Sequence, residues 1–175
     1  MRKIAVIVGS ESDLKQCLVG LKYLQKMGEL EYAEVVGVYV SSIHRNTGLT
    51  HQLLRNLVNA NVEVVITGAG WANHLSGCCD AWLRYTMRTI KLVVVGVAFE
   101  DMDNKHTQAA ILSISEVPKT QVVYKNKDGQ NFVGGEGFRD ACDFAVHGTL
   151  PVINLPDIKK TRDFSLLEAI NVASA

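Results

Sequence analysis

The stretch "IAVIVGSESDL", residues 4–14, ends an apolar run at Gly9 and follows it at once with two serines and two acids. Residues 4–8 are mostly β-branched and suit a strand buried on both faces, the kind a parallel sheet requires. Leu14, Cys17, Leu18, Leu21 and Leu24 then recur at helical spacing. The polar groups therefore fall on a strand-to-helix turn. Ser10, Ser12 and Asp13 are N-cap residue types, and the unpaired N–H groups of a helix start also favour a bound anion. Gly9 allows close backbone approach. Within this segment a helix cap and a phosphate cradle are both open.

The rhythm continues outward from there. Strands are expected at Lys3–Val8, Ala33–Val40, Val62–Thr67, Leu92–Ala98 and Gln121–Tyr124. Helical patterns cover Leu14–Met27, Leu49–Asn59, Leu75–Met87, Thr107–Ser115 and Gly137–Val146. Such alternation predicts an α/β domain with a central parallel sheet and helices on both faces. "YKNKDGQNFVGGEG", residues 124–137, is polar and glycine-rich and reads as a loop or small hairpin turning at Asp128 and Gly129. The α/β domain is placed at 1–150 and a tail at 151–175. In the tail Phe164, Leu167 and Ile170 share one helical stripe, which is open to docking on a neighbouring subunit or on its own domain.

Composition narrows the function. With 175 residues and 47% hydrophobic content the chain can bury a sizeable core. Lys plus Arg and Asp plus Glu both total 18, so no basic field points to nucleic acid or an anionic membrane. The opening apolar run is too short for a signal peptide or membrane span, which leaves a cytoplasmic location as the expectation. Cys17, Cys78, Cys79 and Cys142 lack zinc-type spacing and are expected as free thiols, with Cys78 and Cys79 packing the third helix.

In an open parallel sheet, ligands sit beyond the carboxyl ends of the strands. Three loops there stand out: "GSESD" after the first strand, "SSIHRNTG" (residues 41–48) after the second and "GAGWANHLSG" (residues 68–77) after the third. They supply small residues, hydroxyls, a carboxylate, an arginine and two histidines. His44 supplies an imidazole that can give and take a proton, and Arg45 beside it offers a fork suited to phosphate or carboxylate. That combination fits an anionic metabolite and a proton-transfer step.

The three loops, in this order, resemble the PurE family, the catalytic subunit of phosphoribosylaminoimidazole carboxylase, also called N5-carboxyaminoimidazole ribonucleotide mutase. The family's G-S-x-S-D turn matches Gly9–Asp13, its S-A-H-R-T loop matches Ser42–Asn46, and its G-A-G-x-A-x-H-L-x-G loop matches Gly68–Gly77. The resemblance covers roughly residues 3–147 and implies a flavodoxin-like three-layer α/β/α sandwich assembled as a homo-octamer. It implies carboxyl transfer on an aminoimidazole ribonucleotide in purine biosynthesis, with carbon dioxide or bicarbonate and neither metal nor cofactor. By position, Gly9, Ser10, Ser12, Asp13, Ser42 and Arg45 would bind the ribonucleotide. His44 would be the acid and base, and Gly68, Ala69, Gly70, Trp71, His74 and Leu75 would line the carboxylate end.

This chain departs from the pattern in places. Trp71 stands where the family usually has a small residue, so the indole would fill part of the pocket or form a stacking wall. Ile43 replaces an alanine, Asn46 a threonine, and Ser76 a proline. These changes leave open a carboxylase or decarboxylase of another heterocyclic nucleotide, or a nucleotide-binding module without catalysis. Elsewhere, His106 with Glu100, Asp101 and Asp103 reads as a solvated acidic loop rather than a metal cluster. Trp82 reads as core. His51 and His147 read as surface or packing residues.

Overall fold

Ile4, Val6 and Val8 face one side of a sheet and Ala5 and Ile7 the other, and all five are completely buried. The computed structural model describes residues 1–175. β1 (Arg2–Val8) leads through a short helical turn at Glu11–Asp13 into α1 (Leu14–Glu29). Then follow β2 (Ala33–Val40), α2 (Thr47–Asn59), β3 (Val64–Ala69), α3 (His74–Ala81) and β4 (Val93–Ala98). After these come α4 (Asn104–Ser115), α5 (Gly134–His147) and α6 (Leu166–Ala173).

The four strands pair in parallel in the order β2-β1-β3-β4. One face of the sheet packs against α1 and α5 through Cys17, Leu24, Phe138 and Ala141. The other packs against α2, α3 and α4 through Leu54, Leu75, Cys79 and Ile114. This is the flavodoxin-like three-layer α/β/α sandwich. Val8 is level with both Val40 and Gly68, so the first three strands end at one height and release their loops side by side.

The continuous fifth strand expected at Gln121–Tyr124 is not formed. Only single-residue bridges occupy its place beside β4, Val123 with Val95 and Val133 with Ala98. The polar insert explains the break. Residues 124–132 leave the sheet as a hairpin, closed by a bridge between Lys125 and Asn131 and turned at Gly129 with φ +80°. The third helix is shorter than expected too, giving way at Trp82 to a wide turn that runs to Thr86. Within that turn Arg84 is wholly buried. It pairs with Asp80 at 3.0 Å and donates to the carbonyls of Thr89 and Leu92, each at 2.7 Å.

The apolar stripe of α1 is rotated from the expected one. Leu18 is 54% exposed, and Gly20 faces inward instead. Phe138 of α5 fills the space there, since a Cβ on residue 20 would lie 2.4 Å from its ring. All four cysteines are free. Cys78, however, is exposed rather than packed, because it lies on the outer side of α3 while Cys79 faces the sheet. Beyond Asp157 every residue of the tail is exposed, including all of α6.

Candidate active site

Ser10 leaves β1 in an extended conformation (φ −152°, ψ 155°), and Glu11–Asp13 wind into the turn that starts α1. Neither Ser10 nor Asp13 spends its side chain on capping. The Ser12 hydroxyl donates to Ser10 Oγ at 3.0 Å. Burial pushes the Asp13 carboxyl above its ordinary range, while a backbone hydrogen bond at Ser10 and the charge of Arg45 pull it down less strongly.

The second loop is anchored by buried hydroxyls. Ser41 Oγ and Thr50 Oγ1 lie 2.7 Å apart, and Thr50 Oγ1 donates to the Asn46 carbonyl at 3.0 Å. Ile43 drops into the core below the loop. These anchors leave His44 and Arg45 exposed on top. The guanidinium reaches back across the cleft, with Nη2 donating to the Gly9 carbonyl at 3.2 Å. The first two loops are thereby tied together.

The third loop rests on Asn73, whose role the sequence reading missed. Its buried Nδ2 donates to the Val97 carbonyl at 2.7 Å, and its Oδ1 accepts from the Ser76 N–H at 3.3 Å, capping α3. Ser76 Oγ lies 2.8 Å from Thr67 Oγ1, which completes a buried polar network. On this base His74 stands exposed, with Nδ1 2.9 Å from His44 Nε2 and the two rings edge to face at 87°. One imidazole in the pair must donate and the other accept, so a proton lies between them.

A cavity of about 500 Å³ joins these groups. Gly9, Ser10, Ser12, Asp13, Ser42, His44 and Arg45 line one part of it. Ala69, Gly70, Trp71, His74 and Leu75 line the rest, with Ile43 and Ala72 between. Gly68 is the exception among the expected site residues. It is buried within β3, where a Cβ would meet the Phe99 ring at 2.5 Å, and it shapes the floor without facing the cavity.

Trp71 adopts φ 56°, a left-handed conformation that side-chain-bearing residues seldom take and that glycine takes freely. Its indole stacks on His106, with centroids 3.8 Å apart and planes 16° from parallel. His106 Nδ1 lies 3.2 Å from Asp101 Oδ1, which also accepts from the Asp103 N–H at 2.9 Å. Gln16 clamps this loop to α1, with Nε2 donating to the Glu100 carbonyl and Oε1 accepting its N–H. No residue-type signal marks the His106 and Gln16 pairings, which join segments distant in sequence.

Fold and site together define a class: a flavodoxin-like α/β protein with a polar turn, an arginine and a histidine pair at the carboxyl ends of its strands. The family model for AIR carboxylase matches residues 3–131. An N5-carboxyaminoimidazole ribonucleotide mutase of Pyrococcus abyssi is 36% identical over 160 residues, covering 91% of this chain and 79% of that protein. One from Saccharolobus solfataricus is 30% identical, covering 67% of this chain and 66% of that protein. The Treponema denticola PurE structure matches with a TM-score of 0.53 at 19% identity over 70% of each chain, a likeness of fold. This chain belongs to the AIR carboxylase, or PurE, family.

Proposed function

We propose that this chain moves a carboxyl group from the exocyclic nitrogen to the ring carbon of an aminoimidazole ribonucleotide, the mutase reaction of purine biosynthesis. The observation that carries this reading is the His44–His74 pair, 2.9 Å apart, in the same cavity as the Ser10–Asp13 turn and Arg45. The relatives named above point the same way. The cradle and Arg45 take the phosphate and ribose, with charge-assisted hydrogen bonds at the guanidinium. His44 gives its proton to the carboxylated nitrogen, the N–C bond breaks, and carbon dioxide is released into the cavity. The ring carbon then attacks carbon dioxide to form the new C–C bond, and His44 takes up the proton lost from that carbon. Proton count and charge balance over the cycle. Holding carbon dioxide beside the ring makes its recapture effectively unimolecular.

The working form is a cytoplasmic homo-octamer in which the tail, residues 151–175, packs on a neighbouring subunit. Support comes from α6, where Leu166, Leu167, Ile170 and Val172 are each at least half exposed. Light scattering of the intact chain tests the assembly, and a monomer at micromolar concentration refutes it.

The chemistry is tested by interconverting the N-carboxylated and C-carboxylated ribonucleotides with and without added bicarbonate. Turnover independent of bicarbonate is expected of a mutase, and turnover that requires it marks a carboxylase. His44→Asn keeps a hydrogen-bonding side chain that cannot shuttle a proton. It should lower turnover by roughly a hundred- to ten-thousandfold while ribonucleotide binding survives. Full activity in this variant refutes the role of His44.

A further inference from the structure

Trp71 lines the cavity, yet one of its two faces is already taken by the His106 ring at 3.8 Å. His106 lies on α4, beyond the cavity wall, and is itself held by Asp101 at 3.2 Å. Asp101 is fixed in turn. Its N–H donates to Thr107 Oγ1 at 3.0 Å, and its carboxylate accepts from the Asp103 N–H. The Asp101 carboxyl is drawn below its ordinary range, first by that Asp103 bond, then by His106, with a smaller contribution from the Trp71 side chain. The start of α4, held by the turn after β4, thus braces an indole that belongs to the loop after β3. The bracing coincides with an unfavourable backbone, because Trp71 holds φ 56°.

We propose that Trp71, backed by His106 and Asp101, is a stacking platform for the flat heterocycle of the ribonucleotide, and that His106 is a positioning residue acting through the indole. This rests on the ribonucleotide reading given above. The arrangement divides recognition between two ends of one cavity: Arg45 and the Ser10–Asp13 turn meet the phosphate, and the uncovered face of Trp71 meets the ring. A planar, electron-rich aminoimidazole gains dispersion and electrostatic attraction from an indole face, and the imidazole behind it keeps that face from rotating away. Glycine at this position would offer no such face. The platform therefore makes affinity depend on the heterocycle as well as on the phosphate.

The test separates the ring from the rest of the ligand by comparing aminoimidazole ribonucleotide with ribose 5-phosphate. Trp82→Phe leaves Trp71 as the sole tryptophan, and it sacrifices no hydrogen bond because the buried Trp82 Nε1 has no partner. In that protein the ribonucleotide should quench Trp71 emission and ribose 5-phosphate should not. Trp71→Gly suits the left-handed backbone, so it folds. It should weaken ribonucleotide binding by about five- to a hundredfold, the range of base–aromatic stacking losses, with ribose 5-phosphate affinity unchanged. His106→Ala should show the same selective loss and raise KM with little change in kcat, while His106→Phe, which keeps a ring behind the indole, restores affinity. Equal ribonucleotide affinity in the Trp71→Gly variant and the parent, or unaltered emission on saturation, overturns the platform and leaves the function standing. Failure of the unmodified protein to bind either ligand overturns the ribonucleotide reading and the platform with it.

Discussion

Removing the guanidinium of Arg45 by Arg45→Ala probes the proposed anion end of the cavity directly. The side chain is exposed, and its one hydrogen bond within the chain goes to the Gly9 carbonyl at 3.2 Å. Folding stability should therefore change little. A charged hydrogen bond to phosphate contributes about 1.5–3 kcal/mol, and solvent screening at an exposed site brings this to about 1–2 kcal/mol. The expected loss in affinity for ribose 5-phosphate is about five- to thirtyfold by titration calorimetry. Because the term is electrostatic, the gap between the two proteins should narrow as salt is raised from about 0.05 M to about 0.5 M. Arg45→Lys, which keeps charge but loses the fork, should fall between them. Affinity that does not change in Arg45→Ala, or a loss insensitive to salt, would refute the phosphate assignment.

Two further outcomes concern stability. Asp13 has its folded pKa raised above the ordinary value of 3.8, chiefly by burial. The folded state then binds more protons than the unfolded state in the window just above that value, so the charged carboxylate costs stability as pH rises. Asp13→Asn should accordingly show a higher urea midpoint than the parent at neutral pH, and the advantage should shrink as pH falls towards 3.8; an equal or lower midpoint at neutral pH contradicts this. Asp80→Ala strands the wholly buried Arg84 without its carboxylate and should cost about 3–5 kcal/mol in urea unfolding. A loss below about 1 kcal/mol would mean that the guanidinium's carbonyl partners suffice.

The parts of the site visible in the sequence were those set by local chemistry. Gly9, Ser10, Ser12 and Asp13 follow a strand of five apolar residues, so both their position at the strand end and their direction could be read. His44 and Arg45 come after a second such strand. The distance between His44 and His74 was not readable, since it depends on β1 lying between β2 and β3 in the sheet. Trp71 drew notice for its size, but its support from His106 joins the loop after β3 to α4 through tertiary packing. Gly68 lies within β3 against Phe99, just before Ala69 and Gly70, which line the cavity. The fifth strand was misread because a short apolar run such as residues 121–124 carries no record of the hairpin that pulls it from the sheet.

β2 occupies the outer edge of the sheet, and along its eight residues only Glu34 is charged. Val38 and Val40 are each 43% exposed near its end. An edge of this length with strong β-propensity and no proline is a template on which another chain can add a strand. On heating, such edges from many copies should pair with one another. Warming should then end in precipitate, and a melting temperature that rises with scan rate is the expected sign of an irreversible loss rather than a balance between two states.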